Sequence, residues 1–509
     1  MILGEPRNEQ HGAVDPMTML DVLFRRVAKL DPDATALADP PNRESFTSGA
    51  PRRLTYAEAD RAISAIAAQF AHMGLPADSV IGVQMPNTVE HVLTILAILR
   101  AGMIAAPLPL LWRRAELTAI LPRLGARALI TASRVNGTDH GALAAGVAVQ
   151  MFQIRHVCGF GDDLPDGVIG LDELLSEDLG DPAPLGRERP AEHVAVITTE
   201  MTPEGPILIA RDHMELIAGG LVTLLEGGLK PQTRLLGCCA IGSFAGLSLT
   251  LVPWLLSGSL LSLHHGFDPA VTVQQCRDDN CDAAVLPAPL LPLVGDIGLL
   301  HDTPLRNLLA LWRAPERFAA SAAWDVANVT LTDMLAFGEF GLLGSRRGPA
   351  GAPEPLPAGA ITMPRGAAGG ILLAETARTE TGSLALRGPM VPRHAFPPGS
   401  ERGTGPRLNA SADGYVDTRY PCRLVPADGT LVVTGSPPGL VAVGGYRFAR
   451  IGLESDVRQA DPEALITALP DALVGHRLAG VRGSADTRTR LSEMGANPLV
   501  AEAFGPAPG

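Results

Sequence analysis

The run Val80-Ile-Gly-Val-Gln-Met85, followed by Pro86-Asn-Thr-Val-Glu90, Leu99-Arg-Ala-Gly102 and Ala106-Pro-Leu108, decides how this chain is read. Val80 to Met85 carries no charge and is closed by a proline, the pattern of a buried strand. Asn87 to Arg100 reads as a helix, ended by Gly102. Ile104–Leu108 then returns to strand. Strand, helix and strand in such close order make the unit of a parallel sheet with helices packed on its faces.

The same alternation extends outward. Upstream, Thr55-Tyr-Ala-Glu58 is a capping box, in which hydroxyl and carboxylate satisfy exposed N–H groups at a helix start. Ile63, Ile66, Ala67 and Phe70 continue that helix at core spacing, and Gly74 closes it. Downstream, Ala128–Thr131 is a further strand. The pattern restarts near Val194, with strands expected at Val194–Thr198, Ile207–Ala210, Arg234–Cys238, Leu260–His264, Ala283–Leu286, Asn307–Leu311 and Val329–Leu331. After Gly344 glycine and proline become frequent, and residues 384–450 predict short strands, with Asp428-Gly429 as a hairpin turn. The last sixty or so residues have weak helical character.

Composition narrows the function. The 509 residues carry 41 Lys+Arg against 54 Asp+Glu, a net charge of −13 with 46% apolar residues and only 4% aromatic. Large cores are available and global disorder is excluded. So acidic a chain is unsuited to neutralising phosphates along a nucleic acid, and it has few rings for stacking on bases. The six cysteines form no CxxC pair and read as buried small hydrophobes in a reducing compartment. His264-His265 has no spaced Cys, Asp or Glu partners, so no metal site is expected there. Met1 to Pro16 contains no apolar core of a signal peptide. Leu235 to Phe267 lacks charge but is broken by Gly242, Gly246, Pro253 and Gly258, which predicts helix, turn and strand rather than a membrane span. A cytoplasmic protein is expected.

On Met85–Glu90, Leu99–Gly102, Ala106–Leu108 and Ala115-Glu-Leu117, together with Leu247–Pro269, Asp413-Gly-Tyr415 and Gly444-Gly445, the chain resembles the adenylate-forming superfamily. That group includes acyl- and aryl-CoA ligases and the adenylation domains of peptide synthetases. The resemblance covers roughly residues 15–455. It implies an α/β fold of two doubly wound subdomains (1–190 and 191–343), a small β-rich subdomain (344–435) and an abbreviated C-terminal piece (436–509). It also implies activation of a carboxylic acid by ATP and transfer to CoA or another thiol.

Motif by motif, the sequence departs from that pattern. Where the family has the phosphate loop Thr-Ser-Gly-Thr-Thr-Gly-x-Pro-Lys-Gly, residues 199–208 read Thr-Glu-Met-Thr-Pro-Glu-Gly-Pro-Ile-Leu. Thr199, Thr202 and Pro206 remain, Gly205 stands at the variable position as a further nucleotide-side candidate, and His213 matches a downstream histidine. Met201 and Glu204 replace glycines that let backbone N–H groups approach phosphate. Glu200 and Glu204 would each repel a polyanion by about 3 kcal/mol as an unscreened upper figure. As plain structure, the same residues read as a solvated acidic loop. The aromatic-Gly-x-Thr-Glu segment, which implies adenine stacking and Mg²⁺ binding, corresponds to Phe337-Gly338-Glu339. Glu339 is thus the candidate Mg²⁺ ligand, or else a turn residue. In the ribose motif Thr418 is kept, but Tyr420 stands where an Asp is usual. The hinge motif becomes Gly435-Ser-Pro-Pro-Gly439, and no Lys follows Lys230. Ser243-Phe244-Ala-Gly246 and Trp312 fall where the family borders its acyl pocket, and with His213 they are the acyl-side candidates.

Three functions remain open. One is a ligase of carboxylic acid and CoA or another thiol, using ATP, Mg²⁺ and CoA with Thr199, Thr202 and Glu339 as surviving catalytic residues. The second, preferred, is a protein of the same fold, impaired in adenylation, that binds an acyl, aryl or CoA-type ligand or a protein partner. The third uses the pocket for other chemistry.

Overall fold

The computed structural model describes residues 18–183, 186–364, 369–393, 395–397, 405–483 and 485–505. Two eight-stranded sheets, each mostly parallel at its centre, form the body. In the first, Val80–Gln84 lies between Ile104–Pro107 and Ala126–Ala132, all parallel, as the opening segment predicts. In the second, Leu235–Gly237, Ala283–Pro287, Asn307–Trp312 and Thr330–Phe337 run parallel, and Gly341–Arg346 folds back antiparallel at the edge.

Helices pack between and around the sheets. Thr55 caps helix Tyr56–His72 with the complete capping box. Helix Val89–Arg100 is buried from Val89 to Leu99, which explains why it is apolar nearly all round. Asp212 caps helix His213–Glu226 by accepting from Glu215 N–H. The uncharged run after Leu235 resolves into a short strand, Phe244–Gly246, one π-helical turn at Leu247–Leu251, helix Val252–Ser257 and strand Leu261–Leu263. Among the described residues, no helix is long and apolar enough to cross a membrane.

The sheets do not respect a division at residue 190. Thr35–Ala38 and Arg53–Thr55 join the second sheet, because Thr35–Ala38 pairs in parallel with Leu261–Leu263. Conversely, Val194–Thr202 and Gly205–Asp212 belong to the first sheet, through Val196 beside Ala105. A six-stranded unit built on Ser383–Arg387 and Val416–Val425 follows, and its Leu386, Val416 and Tyr420 share the main core. Thr430–Val433 closes the hairpin at Asp428-Gly429.

Beyond Gly439 the chain builds a module with a core of its own: Val441, Val443, Phe448, Leu453, Val457, Leu478, Leu491 and Val500. Two hairpins, Leu440–Ala449 and Leu465–Val481, and helices Arg450–Ala460, Ala485–Met494 and Pro498–Glu502 make it up, which is more strand than the weak helical pattern predicts. It docks through backbone contacts such as Ala115 N–H to Gly495 O (3.0 Å) and Arg317 to Ala472 O (2.7 Å).

Candidate functional site

Residues 199–208, expected as a loop, are the end of a tight hairpin. Thr199 pairs with Leu208, Glu200 with Ile207, Met201 with Pro206 and Thr202 with Gly205, leaving Pro203-Glu204 as the turn. Thr202 Oγ1 donates to Gly205 O (2.7 Å), which fastens the tip. Strand alternation puts Thr198, Glu200 and Thr202 on one face, and all three are buried. Glu200 is therefore not the solvated acid that the sequence suggests: it is 4% exposed. Glu204 behaves as expected of a surface residue, pairing with Arg419 at 2.7 Å.

Around Glu200 three distant segments meet. Its Oε2 accepts from Glu339 N–H at 2.6 Å. Its Oε1 is paired with Arg447 of the C-terminal module, whose other terminal nitrogen donates to the Tyr420 hydroxyl. The Tyr420 ring stands edge-on to Phe337, with centroids 5.4 Å apart. Gly338, at φ +61°, crosses directly above: a Cβ there would lie 2.2 Å from Glu200 Oε2. Burial raises the Glu200 pKa, and nearby Glu339 adds to the rise, while Arg447 opposes it. Burial works against the Arg447 charge, but Glu200 and Tyr420 hold its pKa above the ordinary value. Burial pushes the Tyr420 phenol up as well.

The acyl-side candidates sit one layer deeper. Glu339 Oε2 accepts from Phe244 N–H at 2.7 Å, so the candidate Mg²⁺ ligand here closes a helix start. The Arg211 guanidinium lies over the Phe244 ring, 3.7 Å from its centroid, and donates to the Met390 and Glu339 carbonyls. It is fully buried, its Nε has no partner, and burial lowers its pKa to about 10. Ser243 Oγ accepts from Gly246 N–H (3.1 Å) and from Arg313 (2.9 Å).

Other candidates are engaged elsewhere. His213 accepts from Leu20 N–H at 3.3 Å, and burial lowers its pKa to about 3. Trp312 Nε1 donates to Asp333 (2.7 Å), itself paired with Arg347. Thr418 donates to Leu384 O (2.7 Å) and is framework. The site thus gathers Glu200, Phe337, Gly338, Glu339 and Tyr420, with Phe244 joined through Glu339. Among the described residues no group of three or more His, Cys, Asp or Glu is placed to hold a metal.

Sequence reasoning missed Arg447, Arg211 and Arg313. The available signals were a charge ending the apolar strand Ile207–Ala210 and an arginine two residues after Gly444-Gly445.

Comparison with known proteins agrees with this architecture. The profile of the AMP-binding enzyme family matches residues 24–292. A 2-hydroxy-7-methoxy-5-methyl-1-naphthoate–CoA ligase of Streptomyces carzinostaticus is 28% identical over 92% of this chain and 84% of its own length. Among solved structures, apo MbtA of Mycobacterium smegmatis superposes with a TM-score of 0.63 at 21% identity, covering 94% of this chain and 90% of that one. The amide bond synthetase McbA of Marinactinospora thermotolerans gives 0.69 at 16% identity, with 94% of each covered. The profile spans more than half of the chain, which therefore belongs to the AMP-binding enzyme family, within the adenylate-forming superfamily.

Proposed function

We propose that this chain binds an aromatic carboxylic acid or its CoA thioester, and that adenylation is impaired in it. The observation that carries the second half is the buried Glu200–Arg447–Tyr420 contact. A polyphosphate needs backbone N–H groups and cations turned toward it. Here the facing edges of residues 199–208 are engaged in a strand ladder, a buried carboxylate stands among them, and the guanidinium beside it is already paired. Glu339, whose carboxylate accepts from Phe244 N–H, does not fit a Mg²⁺ ligand in this arrangement. Support for an aryl ligand comes from the similarity to a naphthoate–CoA ligase along most of the chain.

That similarity also favours a second reading, an active ATP-dependent ligase of an aryl acid and CoA, since it covers 92% of this chain. Pyrophosphate exchange with ATP–Mg²⁺ over a panel of naphthoic, benzoic and salicylic acids separates the two. The first reading expects no acid-dependent exchange, together with calorimetric binding of an aryl acid or aryl-CoA without ATP. Acid-dependent exchange that disappears in Glu339→Gln would establish the ligase and end the first reading.

A further inference from the structure

We infer that Arg447 is a latch: its paired insertion between Glu200 and Tyr420 is what pins the C-terminal module to the body, and the segment from residue 436 to 449 loosens when that contact is lost. The inference rests on the Proposed function only in taking this face as the nucleotide side. Arg447 and Glu200 are 247 positions apart in sequence, yet they meet with side chains 10% and 5% exposed. Among the described residues, theirs is the one ion pair that joins the module to the body.

The surroundings hold the pair in place. Arg447 lies on the hairpin strand Tyr446–Ala449, just after the turn at Gly444-Gly445. Gly439, at the entrance to that hairpin, packs so closely on Pro203 at the tip of the 194–212 hairpin that a Cβ would come within 3.0 Å of the proline Cβ. Arg450 N–H donates to Gly439 O, which ties the start of the module to its first helix. On the far side of the same tip, Glu204 is bound to Arg419. The tip is thus a socket clasped from both sides, with Arg447 inserted at its base.

Such a contact is all-or-none. A buried charge that loses its partner stays costly until it reaches water, so half-open positions of Arg447 are disfavoured. The other contacts between module and body include hydrogen bonds such as Arg317 to Ala472 O and Ala115 N–H to Gly495 O, which water replaces at small cost, and the packing of Tyr446, the neighbour of Arg447, on the body's second apolar cluster. The same residues that occupy the phosphate and ribose motif positions therefore fasten the C-terminal module to the body.

Hydrogen–deuterium exchange of the full chain, read over residues 436–449, tests this. Glu200→Gln and Arg447→Met should each speed exchange there at least tenfold, and the double variant should be no faster than the faster single one. Arg447→Lys should recover part of the protection. Tyr420→Phe, which keeps the ring and removes only the hydroxyl, should give a smaller rise confined to the same segment, and it stays informative if a charge variant fails to fold. Unchanged exchange in Tyr420→Phe and in a folded single charge variant overturns the latch, as do single effects that multiply in the double variant. Pyrophosphate exchange by the unaltered chain would refute impaired adenylation while leaving this result to be judged by itself.

Discussion

Gly338→Ala measures how firmly Glu200 is held. The new methyl would sit 2.2 Å from Glu200 Oε2 and 2.8 Å from Arg447 Nη1, with the backbone at φ +61°. Two outcomes can be separated by size. If Glu200 is free to swing aside, the loss is the left-handed backbone cost alone, about 1–2 kcal/mol. If Glu200 is fixed, moving its carboxylate by about 1 Å strips the 2.6 Å bond from Glu339 N–H and separates a buried ion pair. Breaking such a pair costs about 3–5 kcal/mol. We expect about 4 kcal/mol in urea unfolding followed by fluorescence. Gly429→Ala is the control, because it has φ +68° and open space around its Cβ, so it isolates the backbone cost. A difference between the two variants below about 1 kcal/mol would refute the rigid pair, and with it much of the reasoning about this site.

Five histidines carry an acid sensitivity, His264 among them, since burial lowers its pKa as well. Burial depresses His91, His140 and His265 to about 4 and His213 to about 3, so each is neutral in the fold and takes up a proton on unfolding below its ordinary pKa of about 6.5. Asp39 and Glu215, raised by burial to about 6 and about 7, act in the opposite sense. Asp21, Glu116, Glu200 and Asp212, also raised by burial, oppose the histidines too. Each depressed histidine contributes a fall in stability of up to about 1.4 kcal/mol per unit as pH drops below its ordinary pKa. His91→Gln should therefore make the urea midpoint less acid-sensitive between about pH 6 and 4.5, and an unchanged slope would contradict it. Glu215 has a raised pKa, so its burial costs nothing in strong acid and most above pH 7. Glu215→Gln should therefore be stabilising by up to about 3 kcal/mol at pH 8 and lose that advantage toward pH 4.5, and a difference independent of pH would exclude this. Ser243→Ala removes the acceptor for Gly246 N–H and Arg313, and should cost about 1 kcal/mol in the same unfolding assay. No change would mean that Ser243 is incidental there.

Local patterns were legible and distant pairings were not. Val80–Gln84, its helix Val89–Arg100 and the capping box at Thr55 follow from periodicity and capping chemistry within a few residues. That Thr35–Ala38 crosses to the second sheet depends on a parallel partner more than two hundred residues away, which no local pattern encodes. The hairpin at 194–212 did leave a trace. Thr198, Glu200 and Thr202 alternate with a half-buried face, but the phosphate-loop resemblance made a loop the natural expectation. Glu200 then looked solvated because its partner, Arg447, lies at the far end of the chain. The same limit applies to His213, whose role was taken from the family's pattern, while its hydrogen-bond partner is the start of the helix Leu20–Leu30.

The separate core beyond Gly439 bears on cooperativity. A chain with two cores is not obliged to lose them in one transition. All four tryptophans, at 112, 254, 312 and 324, lie in the body, while the module carries only Tyr446, Phe448 and Phe504 as aromatic residues. Indole emission therefore follows the body, with Trp112 alone of the four placed beside the module's Tyr446, whereas far-ultraviolet ellipticity also registers the module's hairpins and helices. Two transition curves that coincide would mean the module and the body melt as one cooperative block. Curves that separate would divide the chain's stability at Gly439.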